Sequence, residues 1–182
     1  MRARADRAVE AGTHLLRLVG VGVMLLAGAP AASAITLDGV YGGMARGCTY
    51  NQEGNHKLIT AYVDEHTTGP KLARPDGGKR LAPFLGRAKL RIHGESYTLT
   101  IPVSGATLYG IPVSQLAPYR GIGAGVAGVA ITFAMPFDKV KAELGRAGVR
   151  LVPHDHGWGD ITPELQPAPD GKRTELVCDL SI

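Results

Sequence analysis

RAKLRIHGESYTLTIPVSGATLYGIPVS, Arg87 to Ser114, is the stretch whose reading decides the fold. Apolar and polar residues alternate along it with the period of two that a half-buried strand shows, and Gly94-Glu95 and Ser104-Gly105 interrupt the alternation as turns do. Pairing about Gly94-Glu95 sets Ile92 opposite Tyr97, Leu90 opposite Leu99 and Ala88 opposite Ile101 on one face, with Arg91 opposite Thr98 on the other. A second turn at Ser104-Gly105 brings Leu108 beside Ile101, so that three strands share an apolar face. Pro102 and Pro112 then fall at strand ends or edges. The stretch reads as an antiparallel β-meander.

Downstream, GIGAGVAGVAITFAMPFDKVKAELGRAG (121–148) becomes strand-like from Val126 to Ala134 and then changes period. Pro136 marks a helix start; Phe137, Val140, Leu144 and Ala147 fall on one face, and Gly148 supplies the stop. This single amphipathic helix is expected to cover the sheet. A short strand over 149–152 follows, and TPELQPAPDG (162–171) is expected to be an ordered surface crossing. In TELVCDLS (174–181), Leu176, Cys178 and Leu180 alternate with Glu175, Val177 and Asp179, as in a final strand with Cys178 facing inward. Upstream, LDGVYGGMARGCT (37–49) is expected to be a strand with glycine irregularities. HKLITAYVDEH (56–66) suits a strand or a short helix, with strand favoured. The architecture implied is a single α+β domain over residues 35–182.

Residues 1–34 have the character of an export signal. Arg2, Arg4, Arg7 and Arg17 precede an apolar run from Leu18 to Ala29, and Ala32-Ser33-Ala34 offers a small-residue cleavage site. The run is too short to span a bilayer, so no transmembrane anchor is expected after cleavage, and the protein is read as exported, periplasmic or secreted. Cleavage leaves 148 of the 182 residues, a length that favours one core. They carry 16 Lys and Arg against 14 Asp and Glu, because Arg2, Arg4, Arg7, Arg17, Asp6 and Glu10 fall in the signal. A net charge this near neutrality gives no reason to expect a nucleic-acid partner. The two cysteines, Cys48 and Cys178, would meet an oxidising compartment, and a disulfide between them is expected to tie the last strand to the N-terminal region.

VPHDHGWGD (152–160) is the densest run of chemically capable side chains and holds the only tryptophan. An extended backbone points His154 and His156 to the same side, so the pair is a candidate for zinc or copper, with Asp155 and Asp160 as nearby donors. Stable sites of these ions use three or four protein ligands, so two histidines alone are weak evidence, and no cofactor is expected. Gly157 and Gly159 favour instead a sharply turning loop that presents Trp158 to a partner or folds it back to plug the core. A second candidate surface is the basic stretch from Lys71 to Arg91, with Lys71, Arg74, Lys79, Arg80, Arg87, Lys89 and Arg91 against the single acid Asp76. It suits an envelope protein or an anionic polymer; the plain alternative is a solvated loop. Gly123, Gly125 and Gly128 match the dinucleotide pattern, but a strand is expected to follow them where that motif needs a helix, so they read as a loop. Neither a Gly-x-Ser-x-Gly elbow nor His-Glu-x-x-His occurs. The residues therefore support an exported binding module first, a metal-binding protein second, and a hydrolase whose site only folding would assemble third.

Overall fold

A computed structural model describes residues 34–66, 69–74, 83–122 and 125–181, with His66 described in its backbone only. Residues 1–33, and with them nearly all of the expected signal, lie outside the described residues, as do Lys79, Arg80 and Gly123. The fold is mixed α/β and mostly strand, and its main sheet has seven strands.

The first hairpin forms in the expected register. β4 (Lys89–His93) pairs β5 (Ser96–Leu108), with Leu90 opposite Leu99, Arg91 opposite Thr98 and Ile92 opposite Tyr97. Ile92, at the rim, stays 56% exposed. The second turn is not where the sequence suggests. Ser104-Gly105 is a bulge inside one long strand, with Gly105 at φ +70°, and the chain reverses at Tyr109-Gly110. The extra residue changes the strand's phase: Tyr97, Leu99, Ile101 and Val103 point inward before it, Ala106 and Leu108 after it. A glycine-containing turn signal and a glycine bulge look alike in a sequence, and here the bulge keeps both halves of β5 on one core. Pro102 sits in the middle of β5, just past the end of β4. On that side its carbonyl accepts from Gly86, and Val103 bridges Leu85.

β6 (Ile111–Gly121) and β7 (Ala127–Phe133) continue the antiparallel sheet, and β11 (Thr174–Asp179) pairs β7 with Cys178 opposite Val129. β1 (Ile35–Thr36) adds to the far half of β5 in parallel. The expected surface crossing over 162–171 is instead half strand: β10 (Glu164–Pro167) pairs β11, and a tight turn at Ala168–Gly171 closes the hairpin. Pro163 precedes the strand and Pro167 ends it, because it is the edge of the sheet, where a missing N–H costs no ladder bond. No strand forms over 149–152; Val152 makes one parallel bridge to Arg46.

Three helices stand among the described residues, not one. α1 (Asp38–Tyr41) and the turns after it replace the strand expected over 37–49. Leu37, Tyr41, Met44, Ala45 and Cys48 are buried, at helical spacing that the interspersed glycines conceal. α2 (Gln52–Tyr62) replaces the strand favoured from His56, and only its last residues run on into β2 (Val63–His66), which pairs β3 (Gly69–Leu72). Asn51 caps α2 by accepting from the Gly54 N–H at 2.9 Å. Its inward face is Asn55, Ile59 and Tyr62, and a buried asparagine breaks the apolar pattern that would have announced a helix. α3 (Phe137–Arg146) forms as read, with Val140 and Leu144 in the core. Gly148 N–H bonds to Gly145 O and Val149 N–H to Leu144 O, the paired bonds of a Schellman stop.

Cys48 and Cys178 are joined, with Cα atoms 5.4 Å apart. The bond ties β11 not to a first strand but to the turn after α1.

Candidate functional site

His154 and Asp155 form β8 and Asp160 and Ile161 form β9, a minimal hairpin that carries Trp158 in its loop. Three contacts hold it to the disulfide turn. Val152 N–H donates to Ala45 O at 2.9 Å, His156 Nε2–H donates to Gly47 O at 2.6 Å, and the His154 backbone lies so close to Gly47 that a Cβ there would overlap it. Gly47 adopts φ +56° and Cys48 φ +63°, a left-handed pair that turns the Gly47 carbonyl and Cα toward the hairpin. Within the loop, Asp155 Oδ1 accepts from Gly157 N–H at 2.7 Å.

The three rings of the hairpin stack in sequence. His154 meets His156 edge-on with centroids 5.1 Å apart, and Trp158 leans on His156 at 5.3 Å and 35°. Trp158 is nevertheless 56% exposed, so it does not plug the core. Its ring borders an open cleft of about 640 Å³. The first turn of α2 brings Gln52, Glu53 and His56 to it, β6 brings Tyr119 and Arg120, Tyr50 joins them, and Val126, Ala127, Ile59 and Leu180 supply the apolar lining.

A chain of polar contacts leads away from the cleft at Arg120. Arg120 Nη1 lies 3.2 Å from His56 Nδ1 and 3.2 Å from each Glu65 carboxylate oxygen, and Tyr97 donates to the same carboxylate. Burial, and then the Glu65 carboxylate, raise the Tyr97 phenol well above its ordinary range. Tyr50 is pushed up to about 12 by burial. Tyr119 is raised by burial and by the Asp179 carboxylate, and its hydroxyl donates to Cys178 O at 3.3 Å. All three phenols are thus neutral donors at any physiological pH. Glu53 is held below the carboxylate range by its hydrogen bond to Lys57.

Of the residues singled out in the sequence, His154, His156, Asp155, Asp160 and Trp158 do come together in one hairpin. His156 keeps Nδ1 available while Nε2–H is anchored on a carbonyl, an orientation metal-ligating histidines also use. Among the described residues, however, no group of three or more His, Cys, Asp and Glu converges on a metal position. Lys71 and Arg74 belong to the β2–β3 hairpin and its exit, whereas Lys89 and Arg91 point from β4 to the sheet face opposite the core, so the described part of the basic stretch is split between two elements. Gly128 is not a phosphate cradle. It is the second residue of β7, and a side chain there would strike the Tyr119 ring and Cys178 O. Among the described residues no serine or threonine hydroxyl is hydrogen-bonded to a histidine ring, the pairing that acyl transfer uses.

His56, Arg120, Glu65 and Tyr119 escaped the sequence reading because they come from α2, β6 and β2, and no local spacing connects them. Comparison of the chain with protein-family models, with curated proteins and with solved structures finds no match in any of the three.

Proposed function

We propose that this protein is an exported binding module that captures its ligand in the cleft beside Trp158. The observation that carries this reading is an indole held in the open by structure around it. His156 backs one part of the ring and is itself fixed to Gly47, so Trp158 is ordered before any partner arrives. Leaving so much apolar surface in water forgoes roughly 1 to 2 kcal/mol of burial free energy, which a binding anchor recovers on contact. Preordering it lowers the entropy lost in that contact.

Two further features support the reading. The disulfide agrees with life outside the cytoplasm. The cleft also joins apolar residues, Trp158, Val126, Ala127, Ile59 and Leu180, to polar ones, Gln52, Glu53, His56 and Arg120, so a ligand there can meet both kinds of surface.

The chain's single tryptophan makes the test direct, since indole emission reports on position 158 alone. Titrating the purified, disulfide-bonded protein with tryptophan-free fractions of envelope extract is expected to shift that emission to the blue and to protect it from acrylamide. Trp158→Ala carries no indole, so its binding is followed by calorimetry with the same fractions; it should lose the interaction while its midpoint of thermal unfolding moves by no more than about 2 °C, the effect of about 0.5 kcal/mol in a domain of this size. A large fall in the midpoint would make Trp158 a structural residue and end the proposal.

A further inference from the structure

We infer that the cleft beside Trp158 is a saccharide site, which takes one neutral sugar ring of a longer glycan with its C–H face against the indole. This rests on the binding role proposed above and adds the chemical class of the ligand.

A pyranose has an apolar face made of C–H bonds and a rim of hydroxyls, each of which both donates and accepts. The cleft offers the complement of both. Trp158 provides a flat apolar face, and Val126 and Ala127 continue the apolar lining beyond it. Around them stand Gln52, which donates and accepts, Glu53, which accepts, and Arg120, which donates. All three end in planar groups whose paired atoms match neighbouring hydroxyls.

Charge decides between this ligand and its rivals. Arg120 is neutralised by Glu65 at 3.2 Å, and Glu53 by Lys57 at 2.6 Å. Each of these two charged groups thus has an opposite charge beside it, which leaves a free anion or cation less to gain there than a neutral polyol. An aromatic peptide side chain would cover the indole and the apolar lining but would offer the polar rim no matching donors and acceptors. Sugar hydroxyls satisfy that rim. Because the cleft is open to solvent, rings on either side of the bound one have room to continue.

The test uses soluble neutral oligosaccharides, namely β-linked oligomers of N-acetylglucosamine, glucose and galactose and α-linked oligomers of mannose, followed by Trp158 emission and calorimetry on the disulfide-bonded protein. At least one of them is expected to give a saturable blue shift. Trp158→Ala should weaken that binding by about tenfold or more and Trp158→Phe by less, while Gln52→Ala, at an exposed helix position, should weaken it severalfold. Unfolding midpoints of the variants guard against misfolding. If only uronic-acid oligomers or aromatic peptides shift the emission, the neutral-sugar assignment is overturned and the binding role stands. If envelope extract also leaves the emission unchanged, both fall.

Discussion

In β5, β6, β7 and β11 the large apolar side chains of one face are all buried, whereas the β8–β9 hairpin leaves the chain's one tryptophan 56% exposed. The sheet is held by its own ladder and by an aliphatic core, with Leu99, Ile101, Val129, Ile131 and Leu176 fully enclosed. The hairpin has two residue pairs of its own and depends on the disulfide turn for the rest of its support. Stability and the proposed recognition surface are thus lodged in different parts of the molecule. The turn at Ala45–Cys48 is where they meet, because it is bonded to β11 on one side and receives the hairpin on the other.

Removing the disulfide should separate the two regions most strongly. The bridge spans 130 residues, and the loop-entropy relation assigns such a closure about 4 to 5 kcal/mol. Replacing both cysteines by serine is expected to lower the unfolding midpoint by well over 10 °C. Trp158 should then become fully accessible to acrylamide at temperatures where far-ultraviolet dichroism still reports an intact sheet. If the two signals melt together in the variant, the hairpin is not the weaker partner and the contrast fails.

Alkaline pH probes the phenols of both regions, Tyr97 and Tyr119 in the sheet and Tyr41, Tyr50 and Tyr109 on the side of the disulfide turn. Tyr41 donates to Asn55 at 2.8 Å, Tyr109 OH accepts from Ala45 N–H at 3.0 Å, and Tyr50 lines the cleft. Burial raises all three above the ordinary value of 10.0, Tyr50 to about 12. The unfolded chain releases these protons near pH 10 and the folded chain holds them. Their contribution is therefore complete below pH 10 and is lost as pH rises through the folded values. For Tyr50 alone the loss amounts to about 2 to 3 kcal/mol. Urea midpoints should be flat from neutrality to pH 9 and fall steeply above 10, with Tyr50→Phe blunting the fall. A flat profile to pH 12 would mean that these phenols titrate as if exposed.

How much of this could be read from the sequence follows the same division. Strands with a period of two and one buried face were legible, down to the pairing of Leu90 with Leu99, because each side chain faces a fixed side. The inward direction of Cys178 followed from the same periodicity, and the run of α3 from the helical spacing of Phe137, Val140 and Leu144. The segment 37–62 was not legible. Four glycines hid the helical spacing of Leu37, Tyr41, Met44 and Cys48, and the buried Asn55, satisfied by Tyr41, looked like a surface residue. The Ser104-Gly105 bulge was mistaken for a turn because both demand a residue at positive φ. At the site, the hairpin side was visible as a run of capable residues. The opposite wall was not, since His56 and Arg120 are 64 positions apart and meet only in the folded chain.

Gly47→Ala is the mildest of these perturbations and the sharpest test of how the hairpin is held. The residue sits at φ +56°, which a side chain tolerates at some cost, and the new methyl would overlap the Cβ and backbone N of His154. The sheet does not depend on this contact, so the global loss should be only about 1 to 2 kcal/mol, with unfolding still cooperative. The hairpin cannot keep its seat. Its retreat breaks the bond from His156 Nε2 to Gly47 O and removes the backing from the Trp158 ring. Acrylamide quenching of Trp158 should rise toward that of free indole at temperatures well below the midpoint, and amide exchange should quicken over 152–161 while β7 and β11 stay protected. Unchanged quenching beside a lowered midpoint would mean that the turn supports the sheet rather than the indole. The preordering of Trp158 would then need another source.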